Sequence, residues 1–204
     1  MTTEQSGLEG WLRTLRNIKA KVIDDILAGL TSETIKKDLA PTGLDIIPDA
    51  VALWQTLGGT KQPEGADPAY TFERRLDSMY IFQSPEDACN QTLGIRSDIE
   101  QGYEAYEYFP QTCLPIAVSI GPDILALECR SDPKVRGGVY NYDPSSAELH
   151  KMSASLNSYF NTMQSLFEAK LLRLNEAGEL EVANYNAYFK AAAKLNPGCD
   201  YWTS

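Results

Sequence analysis

The 204 residues are 43% apolar and 23% charged, a composition that excludes a disordered chain and a length that allows one domain with its own hydrophobic core. A formal net charge of −10 opposes binding to nucleic acid or to anionic membranes, because both draw on clustered Lys and Arg. The stretch MTTEQSGLEGW lacks the basic start and apolar run of a signal peptide, and no apolar run could span a bilayer, so a soluble cytoplasmic protein is expected.

Leu8, Trp11, Leu15, Ile18, Val22, Ile26 and Leu30 recur at three- and four-residue steps between charged residues. That spacing predicts one long amphipathic helix over residues 8–30. TSETIKKDLA reads as a short second helix, capped by Thr31 or Ser32 and stopped by Pro41. Pro48 and Asp49 suit the first turn of a third, with Val51, Trp54 and Leu57 or Gly58 on one face and Gly58-Gly59 ending it. Residues 60–70, rich in Pro, Gly and polar groups, read as a surface loop, and MYIFQS at 79–84 as a strand. In SPEDACNQTLG, Ser84 caps a helix, Pro85 opens it, Asp87 holds the capping-box position and Gly94 follows its end.

Residues 97–113, with three Tyr, one Phe and four acidic residues, three of them Glu, fit a helix, a strand or a loop, and Pro110 ends whichever forms. The period then changes to two. PIAVSI, DILALEC and GGVYNYD, separated by turn residues, predict three strands of an antiparallel meander. DILALEC is apolar on both faces and should be the central, most buried strand. From Ser153 a helical stripe of Leu156, Tyr159 or Phe160, Met163, Leu166 or Phe167, and Leu171 appears, followed after NEAGE by Tyr185, Tyr188 or Phe189, Ala192 and Leu195, which stops at Asn196-Pro197-Gly198. The expected fold is α+β: one domain over 1–204, a small antiparallel sheet flanked by helices at both ends, with 1–40 a helical extension and 175–204 a terminal helix and tail.

The chemistry-bearing residues are sparse. Cys89, Cys113, Cys129 and Cys199 form no C-x-x-C pair and, with the single His150, no metal-ligand spacing, so buried reduced thiols are expected. His150 lies in the polar AELHKM just before a helix and reads as a surface residue, and no G-x-S-x-G, P-loop or dinucleotide fingerprint is present. Asp123 and Glu128, in IGPDILALE, are the most suggestive carboxylates. On one extended strand, residues five apart leave opposite faces and lie roughly 16 Å apart, too far to share a proton or a glycoside. Asp123 then reads as a turn residue, and Glu128 as a strand-end carboxylate reaching solvent or a neighbouring amide. No catalytic residue, metal or cofactor is assigned. Glu100, Tyr103, Glu104, Tyr106, Glu107 and Tyr108 remain as a candidate partner-binding set, since Tyr is favoured at interfaces and carboxylates can meet Lys or Arg. The alternative is that the tyrosines half-bury against the sheet while the glutamates are merely solvated.

In chain order these segments resemble the SUKH superfamily, shared by a fungal regulator of cell-wall glucan synthesis and bacterial immunity proteins. Ile46-Ile47-Pro48 with a helix bearing Trp54, Leu57 and Gly58-Gly59 looks like the family's opening segment. LPIAVSIGPDILALE looks like its central hairpin, GGVYNYD like the next strand and SASLNSYFNTM like the helix crossing the sheet. The likeness runs from about residue 44 to 167, and NPGCDYW is similar to the tail of some members. Pro122 stands where a second glycine is usual, and the N-terminal helix lengthens the chain. The resemblance implies a non-enzymatic protein-binding domain with no shared catalytic residues. Its partner would be a cognate toxin domain of nuclease or deaminase type, often basic, which an acidic surface suits. The alternatives are a scaffold or regulator without a toxin and, from a third class, a carboxylate-based enzyme.

Overall fold

The computed structural model describes residues 7–61 and 75–203. The chain is α+β, with helices before and after an antiparallel sheet. Three helices lead: α1 (Gly7–Asn17), α2 (Ser32–Leu39) and α3 (Pro48–Thr56). Strand β1 (Tyr80–Phe82) and helix α4 (Pro85–Glu100) precede the meander β2 (Cys113–Ser119), β3 (Ile124–Glu128), β4 (Val139–Asp143) and β5 (Glu148–Ser153). Helix α5 (Leu156–Glu168), the hairpin β6 (Leu172–Leu174) and β7 (Leu180–Val182), and α6 (Tyr185–Leu195) complete the order. The main sheet runs β1-β2-β3-β4-β5, every pair antiparallel. As its two-sided apolar pattern requires, β3 is central and buried at all five positions.

Strand alternation divides the sheet into two faces. Leu114, Ile116, Leu125, Leu127, Val139 and Met152 join the main core, with Trp11, Leu15, Trp54, Phe82, Phe160 and Leu166. Cys113, Ile124, Ala126 and Tyr142 point the other way and form a smaller core with Ile95 and Phe109. Two polar ends of core aromatics are satisfied: Trp11 Nε1 donates to the Leu76 carbonyl at 2.7 Å and Trp54 Nε1 to that of Gln83 at 2.9 Å. Asp77, fully inside, accepts from the amides of Met79 (2.6 Å) and Tyr80 (2.7 Å) and from the Tyr159 hydroxyl. Burial nevertheless dominates and raises its pKa.

Several expectations are corrected. The helix predicted over 8–30 stops at Asn17, where Lys19 takes a positive φ of 56° and the Ala20 and Lys19 amides donate back to Leu15 and Arg16. This is a Schellman ending without glycine, its apolar contact supplied by the buried pair Leu15 and Ala20. After it, Lys21–Asp25 forms a 3-10 turn and Leu27 pairs with Gly58 and Gly59 in extended form. The helical stripe predicted from Ser153 through Leu171 ends the same way, at Lys170 (φ 59°), and Leu172–Leu174 becomes a strand. Gly94 does not end α4; the apolar face Ala88, Thr92, Ile95 and Ile99 carries the helix on to Glu100. The sheet has five strands: the strand read at 79–84 joins it as β1, and β5 extends the expected three-strand meander to four. His150 stands within β5, whose run of polar residues conceals the alternation, while a bulge opposite Val139 and Tyr140 turns Met152 into the core. Most of the loop predicted at 60–70 lies outside the described residues.

Candidate partner-binding surface

Helix α4 begins with a side-chain cap: the Asp87 amide donates to Ser84 Oγ at 3.1 Å. The Asp87 carboxylate does not reach back to the Ser84 amide; it accepts from the Ser84 hydroxyl at 2.7 Å, as its short side chain dictates. At the far end Gly102 adopts φ 81°, and the Gly102 and Tyr103 amides donate to the Ile99 and Asp98 carbonyls. That reversal throws the chain into a single 3-10 turn, Glu104–Tyr106, before Phe109 and Pro110 lead into β2.

The resulting knuckle is fastened from beneath. Phe109 is buried and meets the Tyr142 ring edge-on, centroids 5.1 Å apart, while Tyr106 stacks on the same ring at 6.4 Å. The Tyr142 hydroxyl donates to the Ala105 carbonyl at 2.8 Å, holding the turn itself. Burial raises the pKa of both Tyr106 and Tyr142, so they remain neutral donors.

Of the six residues proposed from sequence, five are on the surface: Glu100, Tyr103, Glu104, Glu107 and Tyr108. Tyr103 is 57% and Tyr108 64% exposed, large values for aromatic side chains. Tyr106 is not part of this outward set, because its ring is the half-buried fastening on Tyr142. In a 3-10 turn residues three apart stand one above the other, which places Glu104 and Glu107 in one column. Among the described residues no Lys, Arg or His lies within ion-pair distance of Glu100, Glu104 or Glu107. The sequence reading missed Leu93, which is 40% exposed on the stretch of α4 leading to the knuckle. The signal was the four-, three- and four-residue spacing of Ala88, Thr92, Ile95 and Ile99, which extends the helix past Gly94.

The remaining candidates separate. The turn from β2 to β3 is closed by the Ser119 amide donating to the Asp123 carbonyl at 2.9 Å and the Asp123 amide donating to Ser119 Oγ at 3.2 Å. Glu128 does not reach solvent: it is 1% exposed and accepts from the Arg130 amide at 2.9 Å and the Arg130 guanidinium at 2.7 Å. Burial would raise the Glu128 pKa, but the bonds from Arg130 outweigh it and the net direction is down. Asp123 shifts the opposite way, raised by burial and by Asp143. The four cysteines are buried and free, and burial pushes the Cys129 thiol up to about 12 and the Cys113 thiol well above its ordinary range. None is a ready thiolate. Among the described residues no three His, Cys, Asp or Glu side chains are grouped to hold a metal, and no helix is long and apolar enough to cross a membrane.

No known family model matches the chain, and no curated protein matches it. The surface just described is therefore what the structure offers toward a function.

Proposed function

We propose that this chain acts by binding another protein, through the knuckle that carries Tyr103 and Tyr108 among Glu100, Glu104 and Glu107. The carrying observation is where exposed apolar surface occurs: Leu93, Tyr103 and Tyr108 are three of the five exposed large hydrophobic residues among those described, the others being Tyr185 and Leu195. Tyr103 and Tyr108 flank a fastened turn and Leu93 lies on the helix leading to it, and exposed aromatic side chains on such a turn suit recognition because they lose little entropy on binding. The carboxylates around them define the partner's chemistry as a basic surface bearing Lys or Arg. Read with the SUKH resemblance, the partner is a cognate toxin domain of nuclease or deaminase type, and binding neutralises it.

The test is capture of a basic domain encoded beside this chain's own coding sequence, using the native chain and the Tyr103→Ala/Tyr108→Ala variant as baits. The native chain is expected to retain that domain and the variant to lose it at an unchanged melting temperature. Equal retention by both would refute the surface. A solitary coding sequence with no such neighbour would favour the scaffold or regulator reading over the immunity one.

A further inference from the structure

The chain has one histidine, and both its ring nitrogens face carboxylates. His150 Nδ1 lies 3.1 Å from Asp200 Oδ2, and Nε2 lies 3.2 Å from Glu148 Oε2. A neutral imidazole can donate through only one nitrogen, so the other would present a lone pair to a carboxylate. Only the imidazolium satisfies both contacts. Asp200 belongs to a 3-10 turn, Asp200–Trp202, docked on β5, which is an outermost strand of the sheet. Its other oxygen, Oδ1, accepts from the Lys151 amide at 2.7 Å, and Trp202 Nε1 donates to the Met152 carbonyl at 2.7 Å. The turn thus occupies main-chain groups of β5 that an uncovered strand edge would offer to another chain.

We propose that the Asp200–Trp202 turn is latched to β5 by protonated His150, as a pH-sensitive fastening of the sheet edge. The charged groups facing the imidazole among the described residues are Glu148 on β5 and Asp200 on the turn. Asn141, uncharged, is its register partner on β4, where Asp143 stands opposite Glu148, and Lys151 follows it on the alternate face of β5. Burial alone would lower the His150 pKa, but the bonds to Asp200 and Glu148 outweigh it and raise it above 6.5. For Asp200 burial is likewise outweighed, by His150 and the Lys151 amide, and its pKa falls below 3.8. The signs follow. The histidine's contribution is complete below 6.5 and is lost as pH rises through its folded value; that of Asp200 is complete above 3.8 and is lost as pH falls through its folded value. The latch is tightest between those limits. Trp202 is 3% exposed and packs on Tyr188, Phe189 and Tyr201, so the turn stays docked and the change is confined to the Asp200 contact.

The test is the protection factor of the Lys151 amide in hydrogen exchange, followed from pH 5 to 9 beside the imidazole resonances of the single histidine. In the native chain protection falls roughly two- to fivefold as His150 titrates, the range set by partly exposed ion pairs. In His150→Gln the step vanishes, and in Asp200→Asn, which keeps an acceptor for the Lys151 amide, the histidine titrates closer to its ordinary value. A flat native profile, a step that survives in His150→Gln, or a histidine unaffected by Asp200→Asn would overturn the latch.

Discussion

Tyr142 does two jobs with one side chain. Its ring is the floor on which Phe109 and Tyr106 rest, and its hydroxyl holds the Ala105 carbonyl of the exposed turn. Tyr142→Phe keeps the ring contacts and removes the bond, so it should cost about 1 kcal/mol and speed amide exchange over residues 104–109. Denaturant melts and exchange rates check this; an unchanged turn would mean that ring packing alone positions the knuckle. Tyr106 carries a related lesson. Its place among three tyrosines and several glutamates gave no means of telling an anchor from an exposed contact, since the distinction depends on Tyr142, distant in sequence and reached only through the fold. Asp123 and Glu128 are the opposite case. Strand parity and distance separated them and already placed Asp123 in a turn, and the structure adds that Glu128 is buried against Arg130.

Elements with local signals matched their sequence pattern. Thr31 caps α2, Pro48 opens α3 and Ser84 caps α4, and the three central strands follow their apolar runs. The misses share a physical cause. Helices α1 and α5 end on Lys19 and Lys170 in left-handed conformation, which costs about 1–2 kcal/mol without a glycine and leaves no punctuation in the sequence; tertiary packing imposes the turn. Gly94 misleads in reverse, being punctuation that the helix ignores. A Cβ there would meet nothing within 4 Å, and the residue lies inside α4. Gly94→Ala should therefore stabilise the protein by about 0.5–1 kcal/mol, whereas Ser84→Ala, which removes the α4 cap, should cost about 1 kcal/mol. Chemical denaturation distinguishes the two, and a destabilised Gly94→Ala would show that α4 is not continuous through this position.

At the scale of the molecule, the net charge of −10 bears on association rather than on fold. The sheet order, the two cores and the helices around them account for why an exposed, fastened turn stands where the chain leaves α4. The small core beneath the knuckle, with Ile95, Phe109, Ile124 and Tyr142, gives a loop-like segment the rigidity that recognition needs. The candidate region was legible as a cluster of Tyr and Glu; its orientation was not, because the outward set is decided by the positive φ of Gly102 and the tether from Tyr142. The central claim, that this surface binds a basic partner, is tested most directly by measuring affinity against salt for the native chain and for Glu100→Gln/Glu104→Gln/Glu107→Gln. The account predicts native binding that weakens steeply between low and high ionic strength, and a variant that binds more weakly at low salt with a visibly shallower dependence. Identical salt profiles for the two proteins would contradict it.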